Sequence, residues 1–237
     1  MKALIFNSGL GKRMGNLTLN NPKSMIKLSN GETIFERQIR ILSECGISEF
    51  VVTTGPFKEQ LIEASKMFSG LRFTFVENPE YEKTNYIVSM NNASEYICED
   101  ILMLHGDLVF NKRLVERLLQ DAHESVCLYN ECQSLPLKDF KGRFENGILK
   151  EVSINIFDTN CYAFQPMYKL SKAAITMWKN KVAEYVSKGI VDVYAENALN
   201  EVADSLNIYG ISYKDDYISE IDNEEDYKIV SDRIRYY

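Results

Sequence analysis

The sequence has few of the residues that build zinc sites and disulfide scaffolds. Its 237 residues include two histidines, His105 and His123, and five cysteines. The cysteines are odd in number and form no CxxC pair, the spacing that many zinc and redox sites use. We therefore expect neither a structural zinc site nor a disulfide framework, and we expect most of the cysteines to be small buried apolar groups.

Long apolar runs and an overall basic charge are also missing. No segment approaches the roughly 20 apolar residues that a membrane helix needs, and the first apolar run is too short for the core of a signal peptide. The net charge of -7 argues against a nucleic-acid partner, because a phosphate backbone requires a broad basic face. We expect a cytoplasmic protein without membrane insertion and without a nucleic-acid partner.

The charge that is present is distributed unevenly along the chain. Residues 1–40 contain seven Lys or Arg residues and two Glu residues, a local charge of +5. Residues 215–232 contain eight Asp or Glu residues and one Lys, a local charge of -7. The two regions could supply an anion site and a cation site, and the alternative is that both are solvated charged faces.

The remaining composition, with 45% hydrophobic and 26% charged residues, is typical of a folded domain. Over the first 125 residues, short apolar runs alternate with segments of helical periodicity, beginning with the buried-strand pattern of residues 2–7. This alternation predicts a Rossmann-like α/β fold, with a mixed, mainly parallel sheet and helices on both faces.

After about Ser125 the pattern becomes richer in strands. Asn146-Gly147 separates two strand-like segments, and this pair predicts a tight hairpin because both residue types tolerate positive φ. We therefore predict one α/β domain that also contains a small β-rich lobe.

The loop after the first strand contains the most informative chemistry. Gly9 and Gly11 directly follow that strand, so backbone N–H groups can approach an anionic ligand, and Lys12 and Arg13 add positive charge. A dinucleotide fingerprint would need a glycine at position 14, where the chain has Met14, and the P-loop pattern is absent. An ordinary tight turn is the alternative explanation of the two glycines.

Together, these segments resemble a known family. NSGLGKRMGNLTLNNPKSMIKL (7–28) resembles the AAGxGxRMxxLTxxxPKxLxxL signature of nucleotidyltransferases that include nucleoside-diphosphate-sugar pyrophosphorylases and small-alcohol cytidylyltransferases. LMLHGD (102–107) resembles the strand-end GD motif of that family, and EID (220–222) resembles its late metal-binding carboxylate. NPEYEKTNYIVSM (78–90) and YAENALNEV (194–202) look most like the cytidylyltransferases that act on phosphocholine, phosphonates and other small phosphorylated compounds.

The resemblance implies an organisation and a set of nucleotide-binding residues. It implies a single nucleotidyltransferase domain over 1–237, with a nucleotide-binding core at 1–125, an acceptor-binding part at 126–215, and a metal-binding strand and closing helix at 216–237. Lys23 and Arg13 are predicted to be catalytic, Lys23 on the α-phosphate and attacking oxygen and Arg13 on the departing pyrophosphate. The predicted nucleotide-binding residues are Asn7, Ser8, Gly9, Gly11, Lys12, Arg13, Thr84, Asn85, Ser89 and Gly106. A surface lysine is the alternative for Lys23, and a helix cap is the alternative for Asn85.

The resemblance also implies Mg²⁺ as the cofactor, because hard carboxylate oxygens suit that ion. The predicted ligands are Asp107, Asp222 and Glu220, and a strand-terminal turn residue is the alternative for Asp107. The family likeness assigns no chemistry to His105, and Trp178 lies in a helical apolar pattern typical of the core. The predicted acceptor-binding residues are Tyr162, Tyr194, Glu196 and Asn197.

The implied activity is transfer of CMP from CTP to a small phosphorylated or phosphonate compound with release of pyrophosphate. The product would be an activated head group for a surface glycan, teichoic acid or lipid. A sugar-1-phosphate nucleotidyltransferase and a non-catalytic nucleotide-binding regulator are the alternatives. The sequence leaves the oligomeric state open, with a homodimer as one alternative.

Overall fold

The computed structural model describes residues 1–9 and 11–234. Two parts of the sequence lie outside the described residues: Leu10, in the loop that contains Gly9 and Gly11, and the part of the predicted closing segment 216–237 that follows residue 234. The strands are β1 (Lys2–Asn7), β2 (Glu49–Thr54), β3 (Arg72–Glu77), β4 (Ile101–His105), β5 (Leu108–Phe110), β6 (Val126–Asn130), β7 (Lys141–Glu145), β8 (Ile148–Ser153), β9 (Cys161–Leu170), β10 (Tyr209–Ser212) and β11 (Ile218–Glu220). The α-helices are α1 (Ile34–Glu44), α2 (Lys58–Ser65), α3 (Tyr86–Asn92), α4 (Lys112–Gln120), α5 (Lys172–Ser187), α6 (Ala195–Asn200) and α7 (Glu224–Arg233).

Nine of these strands form one sheet in the order β3-β2-β1-β4-β9-β6-β10-β8-β7. Strands β3, β2, β1 and β4 are parallel, whereas β9 runs antiparallel to both of its neighbours β4 and β6. This is the mixed α/β sheet that the sequence predicts. The β-rich segment after Ser125 extends the same sheet, because β6 and β10 continue it beyond β9.

The central strand β1 shows why helices cover both faces. Successive side chains of a strand point to opposite faces, so an uninterrupted apolar run needs two apolar partners. Leu4 and Phe6 pack in one hydrophobic core, together with side chains of α3, α5 and α6. Ala3 and Ile5 pack in the other, together with side chains of α1, α2 and α4.

A third hydrophobic cluster joins the two regions of opposite charge. Met14 and Ile26, from the segment after the glycine loop, pack against Ile221 and Val230 from the far end of the chain. Met14 and Ile221 are fully buried. Burial of apolar surface therefore brings the basic early segment and the acidic late segment into contact, although nearly the whole sequence separates them.

The predicted hairpin is present between β7 and β8. Asn146 and Gly147 both have positive φ, at 51° and 78°, as a primed two-residue turn requires. Apolar periodicity predicts helices at about 170–187 and 191–204, and two of these boundaries were wrong. Leu170 belongs to β9, and α6 covers only Ala195–Asn200. The cysteines are free, as expected, but only Cys127 and Cys161 are buried, so the expectation that most would be buried was wrong.

Among the described residues, no helix combines the length and the apolar character that crossing a membrane would require.

Trp178 of α5 provides a test of the core. Its side chain is fully buried, and its Nε1–H donates to the carbonyl oxygen of Ala195 at 2.8 Å. Trp178→Phe should lower the free energy of unfolding by about 2–3 kcal/mol, because the change removes buried contacts and leaves that carbonyl without its donor. Urea unfolding measures the loss, and Met177→Leu, on the exposed neighbour, should change stability by less than about 0.5 kcal/mol.

Candidate active site

A cavity of about 460 Å³ lies at the carboxyl ends of β1 and β4, the edge of the sheet at which open α/β folds bind ligands. Most of the side chains that the sequence analysis selected line this cavity. They are Asn7, Ser8, Gly9, Gly11, Lys12, Arg13, Lys23, Thr84, Asn85, Ser89, Gly106, Asp107, Tyr194, Glu220 and Asp222.

The Lys23 ammonium lies between two carboxylates. Its Nζ is 2.7 Å from Oδ2 of Asp107 and 2.6 Å from Oδ1 of Asp222. All three side chains are largely removed from solvent, with exposed fractions of 14%, 21% and 18% for Lys23, Asp107 and Asp222. Arg13, at 68% exposure, reaches the same Asp222 oxygen at 3.0 Å. Cationic residues of the early segment and acidic residues of the late segment therefore meet in one cleft.

Local backbone features place Lys23 at this point. Pro22 is extended, with ψ at 153°, and a short 3-10 helix, Lys23–Met25, follows it. Gly11 adopts positive φ, and a Cβ on it would lie 3.2 Å from Cβ of Lys23. A side chain at position 11 would therefore crowd the stem of Lys23, so glycine serves both the turn and the approach of the lysine.

The turn that carries Asp107 is fixed from two sides. Gln38 of α1, which is 1% exposed, donates from Nε2 to the carbonyl oxygens of His105 at 3.0 Å and Leu108 at 2.8 Å. On the other side, the short strands β5 and β11 pair antiparallel, and the Ile221 N–H donates to the Asp107 carbonyl at 3.1 Å. The backbone that carries Asp222 is thus hydrogen-bonded to the backbone that carries Asp107.

The charges of this cluster shift the pKa values of its members. Burial lowers the pKa of Lys23, but the negative charges of Asp107 and Asp222 outweigh burial and leave that pKa raised. Burial raises the pKa of Asp107, and the neighbouring Lys23 ammonium brings it below its ordinary value. For Glu220, burial and then the charges of Asp107 and Asp222 outweigh the opposing effect of Lys23 and raise its pKa well above the ordinary value.

The carboxylates form two overlapping sets that fit a hard divalent cation. Ligand atoms of Asp139, Glu220 and Asp222 lie within 4.8 Å of one another, and so do those of His105, Asp107 and Glu220. Oδ1 of Asp107 is buried without a hydrogen-bond partner, so an acceptor oxygen is available in the cluster. Oxygen donors in this number match what Mg²⁺ uses together with water and phosphate oxygens.

Hydroxyl and amide groups line the other side of the cavity. Ser8 Oγ lies 2.6 Å from Ser89 Oγ and 3.1 Å from Thr53 Oγ1. Asn78, which is 1% exposed, donates from Nδ2 to Ser89 and to Thr84, each at 3.1 Å. The segment 78–90, which contains Thr84 and Ser89, is therefore connected to the end of β1 by direct hydrogen bonds. Asn85 also caps α3, which was the alternative role considered for it: its Oδ1 accepts a hydrogen bond from the Tyr86 N–H.

A group of aromatic side chains forms the wall nearest the second half of the chain. The Tyr86 ring lies 4.7 Å from the His105 ring and 6.2 Å from the Tyr194 ring, and Phe140 contacts Tyr194 at 4.9 Å between centroids. Burial lowers the pKa of His105, so its imidazole is neutral at pH 7.

Three residues predicted to bind the acceptor do not line this cavity. Tyr162 lies at a separate cavity of about 510 Å³, where its ring is 5.2 Å from that of Tyr129. Asn197 is exposed on α6, because Glu196 and Leu199 occupy the core-facing side of that helix. Glu196 is 1% exposed and accepts hydrogen bonds from the hydroxyls of Tyr86 and Tyr168, so it lies behind the aromatic wall.

The cavity also includes residues that the sequence analysis did not select: Asn78, Tyr81, Tyr86, Lys138, Asp139, Phe140 and Ile154. Asn78 follows β3 directly, and because open α/β sheets bind ligands beyond the carboxyl ends of their strands, that position is a signal that could have found it. Lys138 and Asp139 lie in an irregular segment, and no periodicity in the sequence indicates which way such side chains point.

Comparison with known proteins identifies the family. The sequence model of the family described as the MobA-like NTP transferase domain matches residues 3–137, which is more than half of the chain. The chain belongs to this nucleotidyltransferase family. A choline-phosphate cytidylyltransferase of Streptococcus pneumoniae is 24% identical over 253 aligned residues, covering 96% of both proteins. A CMP-5'-(3-aminopropyl)phosphonate synthase of Streptomyces rubellomurinus is 30% identical over 143 residues, 60% of this chain but only 22% of that longer protein.

A solved structure has the same fold. The Streptococcus pneumoniae CTP:phosphocholine cytidylyltransferase structure superposes with a TM-score of 0.82 at 22% identity and covers 98% of both chains. The predicted fold class and the predicted family are thereby confirmed. Members of this nucleotidyltransferase family generally use divalent metal ions, which agrees with the carboxylate cluster described above.

Glu196 should make the stability of the protein depend on pH in a measurable way. Burial raises its pKa from 4.5 to about 8, so the folded protein keeps a proton that the unfolded chain loses at lower pH. The stability contributed by protonated Glu196 is therefore complete below the unfolded pKa and is lost as the pH rises through about 8. Glu196→Gln, which stays neutral, should gain stability relative to wild type between about pH 5 and about pH 9.

Urea unfolding across that pH range measures the difference. Glu201→Gln serves as the control, because a hydrogen bond from Tyr185 lowers the pKa of Glu201 and its difference from wild type should stay flat. A flat profile for Glu196→Gln as well would show that Glu196 is already ionised in the folded protein at neutral pH.

Proposed function

We propose that the protein is a cytidylyltransferase that transfers CMP from CTP to a small phosphorylated or phosphonate compound and releases pyrophosphate. Phosphocholine-like, aminoethylphosphonate-like and amino-acid-derived phosphates are the acceptor classes. The product is a CDP- or CMP-linked head group, which a second transferase would attach to a surface glycan or lipid.

The observation that carries the proposal is the contact of Lys23 with both Asp107 and Asp222. Nucleotidyl transfer brings two anions together, so its main obstacle is negative charge. A cleft that combines a basic loop with a cluster of carboxylates can hold a triphosphate and also the cation that neutralises it. One largely buried lysine in contact with two carboxylates marks the place where these two functions meet.

The bond changes define what the residues must do. An oxygen of the acceptor phosphate or phosphonate forms a bond to the α-phosphorus, and the bond from that phosphorus to the oxygen bridging to the β-phosphate breaks. Lys23 is proposed to place its ammonium beside the α-phosphate and the attacking oxygen, which lowers their mutual repulsion. Gly9, Gly11, Lys12 and Arg13 are proposed to hold the triphosphate, with Arg13 stabilising the charge that develops on pyrophosphate. Acceleration then comes from positioning and from cationic charge.

Mg²⁺ is the proposed cofactor, and Asp107, Asp222 and Glu220 would hold it. The bound ion would neutralise phosphate charge and polarise the phosphorus–oxygen bonds. Asp139 lies within reach of the same cluster and is a further candidate oxygen donor.

The two halves of the cavity are proposed to bind different reactants. Asn7, Ser8, Thr84, Asn85, Ser89 and Gly106 are proposed to contact the nucleotide, whose base is cytosine in this proposal. The acceptor is proposed to bind against the aromatic wall, where Tyr194 is retained from the predicted set and Glu196 acts from behind Tyr86. Tyr162 and Asn197 are not proposed again, because neither lines this cavity.

A panel of substrates tests the activity. Pyrophosphate release should be observed with CTP and Mg²⁺ and with at least one of phosphocholine, phosphoethanolamine, 2-aminoethylphosphonate and an amino-acid-derived phosphate. UTP, ATP and GTP should support much less release. Turnover only with a sugar 1-phosphate would support a sugar nucleotidyltransferase instead, and no turnover with any nucleotide would support a binding protein.

Substitution of the central lysine tests the assigned mechanism. Lys23→Ala should lower turnover at least about 100-fold, as expected for the loss of one preorganised electrostatic group. Asp107→Ala should have an effect of similar size, because a proposed cation ligand is lost. Steady-state pyrophosphate release measures both variants, with exposed Lys27→Ala as the control. Near-wild-type rates in either site variant would disprove its assigned role.

A further inference from the structure

Lys141 is a buried lysine at the start of β7. Its exposed fraction is 0%, which is rare for a lysine. The residue pairs with Ser153 of β8 on one side and with Ala163 of β9 on the other. Its backbone is therefore held in the sheet, and its ammonium must find partners inside the protein.

The ammonium contacts two irregular segments of the chain. Nζ donates to the carbonyl oxygens of Pro136 at 2.6 Å and Asp139 at 3.1 Å. It also lies 4.1 Å from the centroid of the Phe157 ring, a cation–π distance. Burial lowers the pKa of Lys141, because removal from water disfavours the charged ammonium.

These two segments build one side of the cleft. Residues 131–140 contain no helix or strand, and Lys138, Asp139 and Phe140 at their end line the cavity. Residues 154–160 are also irregular, and Ile154 at their start lines the same cavity. Backbone hydrogen bonds hold one end of each segment, from the Phe164 N–H to the Phe140 carbonyl at 3.1 Å and from the Phe144 N–H to the Asn160 carbonyl at 3.0 Å. Strand pairing does not define the rest of these segments, so side-chain contacts contribute to their backbone path.

Lys141 can hold these two segments in one conformation. A buried ammonium is stabilised by carbonyl oxygens only when those oxygens point towards it. The hydrogen bonds of Lys141 therefore favour one backbone path for residues 136–139. That path orients the side chains of Lys138 and Asp139. Phe140, between Asp139 and Lys141, extends the path to the ring of Tyr194 in the aromatic wall.

We propose that Lys141 is a positioning residue for the acceptor: by binding the Pro136 and Asp139 carbonyls beneath Phe157, it holds the 136–140 segment in the form that the acceptor binds. The inference rests on the proposed function, since it assigns this side of the cleft to the acceptor. Lys141 itself does not line the cavity, so it acts through the residues it holds.

Lys141→Met tests the proposal because methionine retains an unbranched side chain of similar length and removes the ammonium. The KM for the acceptor should rise about 10-fold or more, the effect of losing hydrogen bonds to a charged group. The KM for CTP should rise less, by at most about threefold, because Asp139 links this segment to the proposed cation ligands while the other residues of the nucleotide side belong to other segments. A purely structural role would instead lower the amount of active enzyme and leave both KM values unchanged.

Lys150→Met is the matched control. Lys150 lies on the neighbouring strand β8 and contacts the exposed Asp204 at 3.0 Å, so both KM values should stay at the wild-type level. Phe157→Leu is the second variant, at a position that is 51% exposed and therefore tolerant of substitution. It should raise the acceptor KM in the same direction by a smaller factor, and it keeps the test decisive if Lys141→Met does not fold.

The outcomes separate this inference from the proposed function. Wild-type turnover with an unchanged acceptor KM in Lys141→Met, or in Phe157→Leu when Lys141→Met does not fold, would overturn the inference and leave the cytidylyltransferase proposal intact. Equal rises in the KM values of CTP and acceptor would also overturn it. Absence of wild-type turnover with every acceptor would overturn the proposed function and this inference with it.

Discussion

The cleft depends on one electrostatic contact, in which the Lys23 ammonium lies between the carboxylates of Asp107 and Asp222. Two carboxylates this close would repel each other, and the lysine offsets that repulsion. Electrostatic attraction is not the only force that keeps these side chains together, since the third hydrophobic cluster packs the early segment against the late one. Gly11 contributes to the arrangement, because its φ of +60° disfavours other residues and a Cβ there would crowd the stem of Lys23. Apolar burial brings the two segments together, and charge determines what they can bind.

Much of the fold followed from the sequence because its signals are local. The apolar run of β1 and the Asn146-Gly147 turn are each set by neighbouring residues, and each occurs as predicted. The strand-end position of Asp107 was predicted from the resemblance of LMLHGD (102–107) to the strand-end GD motif. The position of β9 was harder to predict, since its pairing with both β4 and β6 joins residues that are distant in sequence.

The part of the cavity that the sequence did not reveal is built from tertiary contacts. Tyr162 lies in β9 and Phe140 directly precedes β7, and both are aromatic, yet of the two only Phe140 lines the cleft. Glu196 was identified as a residue of interest, but its position behind Tyr86 follows from helix packing that a sequence pattern does not encode. Asp139 and Lys138 owe their orientation to an irregular backbone. Sequence motifs therefore indicate the nucleotide side of the cleft well and the opposite side poorly.

The separation of Lys23 and Asp222 along the chain, 199 positions, also has a consequence for synthesis. During translation the parallel strands and the glycine loop emerge first, and they can associate long before β11 has left the ribosome. Until Asp222 arrives, the nascent protein has a nearly complete sheet in which Lys23 has only one of its two acidic partners. The order of translation thus delays assembly of the full charge cluster until β11 and Asp222 have been made.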